Sequence, residues 1–129
     1  MASTDKILGF VWEDGGGTVL ARAVGQDAVA ITQASLTSVA WKAFDESGAT
    51  PDTPVATGTL TIATDIFDTL QTDPRWTLDS TGYNVKHEIA ASVFSAGDHI
   101  YRVEYVFDPV SGEVFPMVAE MFAKAMRGS

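Results

Sequence analysis

The sequence predicts an all-β fold, an antiparallel sandwich of about seven short strands. Three observations carry that expectation. Residues 83–90 and 100–107 alternate apolar and polar side chains with a period of two, the mark of a strand with one wet face. Turn-forming clusters punctuate the chain at Asp14-Gly15-Gly16-Gly17, Gly25-Gln26-Asp27, residues 45–54 and Asp108-Pro109-Val110-Ser111-Gly112. The 129 residues, 46% apolar and 19% charged, have the length and composition of a single globular domain spanning residues 1–129.

The elements follow in order. Residues 7–13 form the first expected strand. The glycine run after it is read as a hairpin tip, because Gly adopts positive φ cheaply. Residues 18–24 form the second strand. Residues 37–44 form the third, with Val39, Trp41 and Ala43 on one face. Residues 55–63 form the fourth, with Leu60 and Ile62 opposite Thr57, Thr59 and Thr61. A short strand is expected over 66–70. Asp73-Pro74-Arg75-Trp76 suits a single helical turn, capped by Asp with Pro in its first position. On the strand over 83–90, Tyr83, Val85, His87 and Ile89 face inward, and Asn84, Lys86 and Glu88 face solvent. On the strand over 100–107, Tyr101, Val103, Tyr105 and Phe107 oppose Arg102 and Glu104. The loop 108–112 then makes a hairpin with residues 113–119.

This spacing of strands and turns is that of an immunoglobulin-like sandwich. Trp41 falls where such folds place a core tryptophan, and Tyr101 opens the penultimate strand where a tyrosine corner sits. The cysteine pair of antibody domains is absent, since the chain contains no Cys.

The C-terminal segment reads two ways. Val118, Met121, Phe122, Ala125 and Met126 recur at helical spacing, with Glu120 and Lys124 at i, i+4. Alternatively Phe115, Met117, Ala119 and Met121 share one face of an extended strand, and Pro116 then belongs at a sheet edge. On either reading an apolar arm is expected over about 117–129. Met117, Met121, Phe122 and Met126 are the residues expected to touch a partner, since methionine adapts to irregular surfaces.

Net charge narrows the classes of function. Eight Lys and Arg against 17 Asp and Glu give −9, which disfavours phosphate backbones and anionic membranes. The charge is spread along the chain: residues 1–64 carry 3 basic and 7 acidic side chains, and residues 65–129 carry 5 and 10. No nucleic-acid or membrane partner is expected. Without cysteine there is no disulfide scaffold, thiolate metal site or cysteine nucleophile. The opening residues show neither a basic n-region nor an apolar stretch long enough for a secretory signal.

Motifs for chemistry are sparse. His87 lies on an apolar face and His99 in a loop, with no spaced set of ligands around them. No nucleophile-elbow pattern accompanies them. Asp65, Asp68, Asp73 and Asp79 crowd one irregular segment, but lack the alternation and closing Glu of a calcium loop. The glycine run precedes no helix and has no phosphate-binding spacing. Trp12 and Trp76 raise the question of a sugar platform, with Trp41 expected inward. The expectation is a protein that is not an enzyme and holds no metal or cofactor.

A further likeness lies in the wording of the sequence. It is carried by Ile31-Thr32-Gln33-Ala34-Ser35-Leu36, Val39-Ala40-Trp41-Lys42-Ala43-Phe44-Asp45 and Phe67-Asp68-Thr69-Leu70-Gln71-Thr72-Asp73. Gly82-Tyr83-Asn84-Val85-Lys86-His87, Tyr101-Arg102-Val103-Glu104-Tyr105 and Ser111-Gly112-Glu113-Val114-Phe115 complete it. The stretch from Leu36 to Val118 resembles small immunoglobulin-like structural proteins of tailed bacteriophages, either capsid decoration (cement) proteins or tail and baseplate components. The resemblance implies a virion protein made in the host cytoplasm. Its partners would be the major capsid protein or tail proteins, together with copies of itself in a symmetric assembly.

Overall fold

The computed structural model describes residues 6–25 and 28–126. Eight strands build two sheets. They are β1 (Lys6–Trp12), β2 (Gly17–Ala21), β3 (Leu36–Asp45), β4 (Pro54–Thr59), β5 (Ile66–Gln71), β6 (Tyr83–Ile89), β7 (His99–Pro109) and β8 (Phe115–Lys124). One sheet has five strands in the order β1-β8-β7-β3-β4, and the other has three in the order β2-β6-β5. Every pairing is antiparallel except β1 on β8. A one-turn helix, α1 (Ile62–Asp65), precedes β5.

Alternation explains the packing. β7 buries Tyr101, Val103, Tyr105 and Phe107, and β8 buries Phe115, Met117, Ala119, Met121 and Ala123. Val39 and Ala43 of β3 meet them on the same inner face. The small sheet supplies Val19 and Ala21 from β2, Ile66 from β5, and Val85 and Ile89 from β6. Phe107 and Phe115 stack with centroids 5.0 Å apart, and Phe94 meets Tyr101 edge-on at 5.3 Å. The Tyr101 hydroxyl accepts the Ala96 N–H at 2.9 Å, tying the loop before β7 to the strand itself.

Several expectations change. The C-terminal segment is neither a helix nor an arm through Lys124. It is a full strand between β1 and β7, held by ladders on both sides from Val118 onward. Pro116 lies where β8 pairs with β7 alone, so its missing N–H disrupts only one side. The fourth strand ends at Thr59, because residues 61–65 prefer a local turn. Asp65 N–H bonds to Thr61 O at 2.8 Å, and the Asp65 carboxylate accepts the Thr61 N–H at 3.0 Å. Leu60 stays buried and Ile62 half-buried. The glycine run is not a hairpin tip, since β1 and β2 lie in different sheets and the run carries the chain between them. A Cβ on Gly17 would stand 2.7 Å from Val11 Cγ1 and 3.1 Å from the Phe94 ring, so the crossing requires glycine there. Residues 73–76 close as a turn rather than a helix, with Trp76 N–H bonded to Asp73 O.

Trp41 faces inward but only half-buried. Its indole lies over Gly58 of β4, its cross-strand neighbour, where a Cβ would come within 2.8 Å of Nε1. Asn84, expected on the wet face, is buried. β2 stops at Ala21, and Asn84 replaces the lost ladder. Its side chain accepts the Ala23 N–H at 2.8 Å and donates to Ala23 O at 3.0 Å. A carboxamide carries both a donor and an acceptor, so it can satisfy both backbone groups of one residue.

Two outcomes follow for stability. Phe107→Ala loses about 3–5 kcal/mol in urea unfolding, the range for emptying a large buried aromatic site, and Trp41→Ala loses less because part of its ring is already in water. Truncation after Ala119 removes the half of β8 that joins β1 to the sheet, so that chain shows no cooperative unfolding transition by circular dichroism.

Candidate functional site

The four residues expected to touch a partner divide by alternation. Met117 and Met121 point into the sandwich and are 3% and 4% exposed. They belong to the core, where an extended β8 places them. Phe122 points to the outer face, and Met126 follows the end of the strand, exposed.

Around Phe122 the outer face of the large sheet is apolar. Phe10 lies directly across from it on β1, with the two rings edge-on at 6.4 Å. Ile100 of β7 is its neighbour on the other side. Trp12 stands two residues beyond Phe10, because Val11 between them turns inward. Phe10 is 70% and Trp12 55% exposed. Lys124 crosses this cluster with its ammonium 4.7 Å from the Phe10 ring centre and 5.6 Å from that of Trp12. A cation over a ring face is attracted by the ring quadrupole, so Lys124 orders the two rings. Further along the same face, Val106 and Pro116 are exposed opposite one another. Sequence reasoning found Phe122 but not Phe10, Lys124 or Ile100. The available signal was the period-two placement of Phe10 and Trp12 around Val11.

The remaining candidates are structural. His87 is buried between the sheets, with Nδ1 2.7 Å from the Tyr105 hydroxyl and its ring 4.7 Å from the Trp41 indole. Burial holds the His87 pKa below its ordinary value, partly offset by the charge of Asp65, and burial also raises that of Tyr105. His99 pairs with Asp45 at 2.8 Å across the sheet end. The four aspartates do not converge. Asp65 closes α1, and Asp68 accepts the Gln33 N–H at 2.7 Å. Asp73 accepts the Tyr83 hydroxyl at 2.7 Å and the Arg75 guanidinium, which together lower its pKa to about 2. Asp79 gathers Arg22, the Trp76 indole N–H and the N–H groups of Thr81 and Gly82, and sits well below the usual carboxylate range. Trp76 is therefore anchored to its own loop. Among the described residues no three His, Cys, Asp or Glu side chains gather as a metal site would require, and no helix is long and apolar enough to cross a membrane.

An open groove of about 510 Å³ lies at one end of the sandwich, between residues 29–36 and the loop after β7. Its lining includes Ile31, Leu36, Pro109 and Phe115, with Thr32, Ser35 and Glu113 as polar groups. No protein-family model, no curated protein and no solved structure matches the chain.

The His87 environment sets a pH dependence. Its folded pKa lies below the unfolded one, so the unfolded chain binds the extra proton first. Stability is therefore full above about pH 6.5 and falls as the pH drops below that value. Asp73, with its pKa lowered to about 2, adds a second loss only below the ordinary carboxylate range. Urea midpoints of the wild type decline between neutral pH and pH 5, and His87→Gln flattens that decline.

Proposed function

We propose that the chain is a non-enzymatic structural subunit of a tailed-phage virion, a decoration protein bound to the capsid surface. The observation that carries this reading is the aromatic cluster on one sheet face, in which Phe10 and Trp12 stand exposed beside the half-buried Phe122. Monomeric soluble proteins seldom leave such side chains together in water, and clustered exposure marks a contact surface. The sequence resemblance to small phage sandwich proteins supplies the setting.

The strand arrangement supports the immunoglobulin-like part of the proposal. On that reading β3, β7 and β8 would correspond to strands C, F and G, β4 to C′, and β2, β6 and β5 to B, E and D, an order that the two sheets are compatible with. The Tyr101 hydroxyl bonded to Ala96 N–H stands as a tyrosine corner stands, at the start of strand F and bonded a few residues upstream. Fold does not itself assign function, and the contact surface carries the argument. Many identical copies on a lattice convert a modest single contact into stable attachment.

A glycan-binding module is the second reading, favoured by the exposure of Trp12. The Lys124 ammonium near the faces of Trp12 and Phe10 works against it, since a sugar ring would have to displace that cation.

Mass spectrometry of density-purified particles from the phage or induced prophage that encodes the chain finds it in many copies, and immunogold labelling places it on the head. Labelling confined to the tail moves it to the tail or baseplate. Absence from particles when the lysate contains the chain overturns the virion reading. Binding on a glycan array that Trp12→Ala abolishes favours the second reading.

A further inference from the structure

The outer face of the five-stranded sheet differs from the rest of the molecule in charge as well as in apolarity. By strand alternation its positions hold four bases, Lys6, Lys42, Arg102 and Lys124, and three acids, Glu104, Asp108 and Glu120, and a fourth acid, Glu46 just beyond β3, pairs with Arg102 at 3.9 Å. The other described residues hold three bases, Arg22, Arg75 and Lys86, against eleven acids. The face is thus neutral on a chain whose total is −9.

The charges on it also alternate in sign. Arg102 lies across from Glu120 on β8 and bonds Glu104 on its own strand at 2.7 Å. Glu104 in turn lies across from Lys42 on β3. Signs therefore change both along and across the strands. Apolar residues flank this belt, with Phe10, Trp12, Phe122 and Ile100 at one end and Val106 and Pro116 at the other.

We infer that this face docks a second copy of the same chain, sheet face to sheet face, with Phe10, Trp12 and Val106 in the contact. Three arguments select a second copy. The rest of the described surface is acidic on balance, whereas this face meets its equal without net repulsion. The alternating belt is self-complementary: displaced by one position, a facing copy lays base over acid, and a two-fold contact uses one patch twice. Five strands about 4.8 Å apart, with β7 and β8 running roughly 30 Å, give a footprint of about 700 Å², close to the roughly 800 Å² per partner of a standard stable interface. An acidic partner would call for a basic face and a basic partner for an acidic one, and this face is neither. The inference deepens the structural-subunit reading by naming one of its contacts, and it is measured without particles.

Sedimentation velocity of the full chain from about 10 µM to about 1 mM shows a concentration-dependent dimer. The double variant Phe10→Asp, Trp12→Asp weakens the dimer at least about tenfold, as removal of central aromatic anchors does. Val106→Asp, at the other end of the face, weakens it independently and serves if the double variant fails to fold. Leu78→Asp, an equally exposed apolar position in the loop before β6, leaves the dimer intact. A wild type that stays monomeric throughout the range overturns the inference, as it would if only a different protein occupies the face. So does a dimer that persists in the folded Phe10→Asp, Trp12→Asp variant or in Val106→Asp. A dimer from a chain absent from purified particles leaves this inference standing and removes the virion reading. A monomeric chain found on particles does the reverse.

Discussion

β7 and β8 meet over nine residue pairs, from His99 opposite Ala123 to Phe107 opposite Phe115. The other strands of the large sheet are placed by that ladder. β3 lies along the free side of β7, and β1 along the free side of β8. Side chains alternate with a period of two, so slipping this register by one residue would turn Arg102 and Glu104 inward and Val103 and Tyr105 out to water. The small sheet then packs against the inner row that this register creates. Its own pairing is weaker: β5 meets β6 at Ile66 and Gln71 with an irregular stretch between.

Burying that inner row brings polar atoms with it, and the structure pairs them instead of excluding them. The Tyr105 hydroxyl enters the core because Tyr105 alternates with Val103 and Phe107, and His87 of the opposite sheet meets it at 2.7 Å. Asn84 is carried inward where β2 ends, and its carboxamide holds Ala23 as a neighbouring strand would. No buried side-chain nitrogen or oxygen among the described residues lacks a partner. An unpaired buried group costs roughly 1–3 kcal/mol, so these contacts fix one arrangement of the sheets against others.

The legibility of the fold tracked the strength of local pattern. β6 and β7 were readable to within two residues at each end because each has one wet and one dry face. The C-terminal segment was ambiguous because Val118, Met121, Phe122, Ala125 and Met126 satisfy a helical period, while Phe115, Met117, Ala119 and Met121 satisfy a strand period. Only the long-range ladder to β7 decides between them. Asn84 was unreadable for the same reason, since its partners lie about sixty residues away. The aromatic surface was partly legible. Phe122 was visible as an apolar residue near the terminus, but its neighbour Phe10 comes from the other end of the chain, through a parallel pairing that local pattern does not encode.

The two edges of the large sheet are built differently. β4 starts at Pro54, is short, and pairs with β3 through a register shift at Ala43 and Phe44. Proline, brevity and bulges are the usual means of blunting an edge against another chain. β1, only one residue longer, contains no proline and no register shift, and it presents Phe10 and Trp12 to water. Lys124 spans those rings and gives the apolar end a positive charge, which limits indiscriminate stacking without covering the rings. One side of the sheet is thus closed to pairing and the other left open and apolar, and an asymmetry of that kind directs association to one place on the molecule.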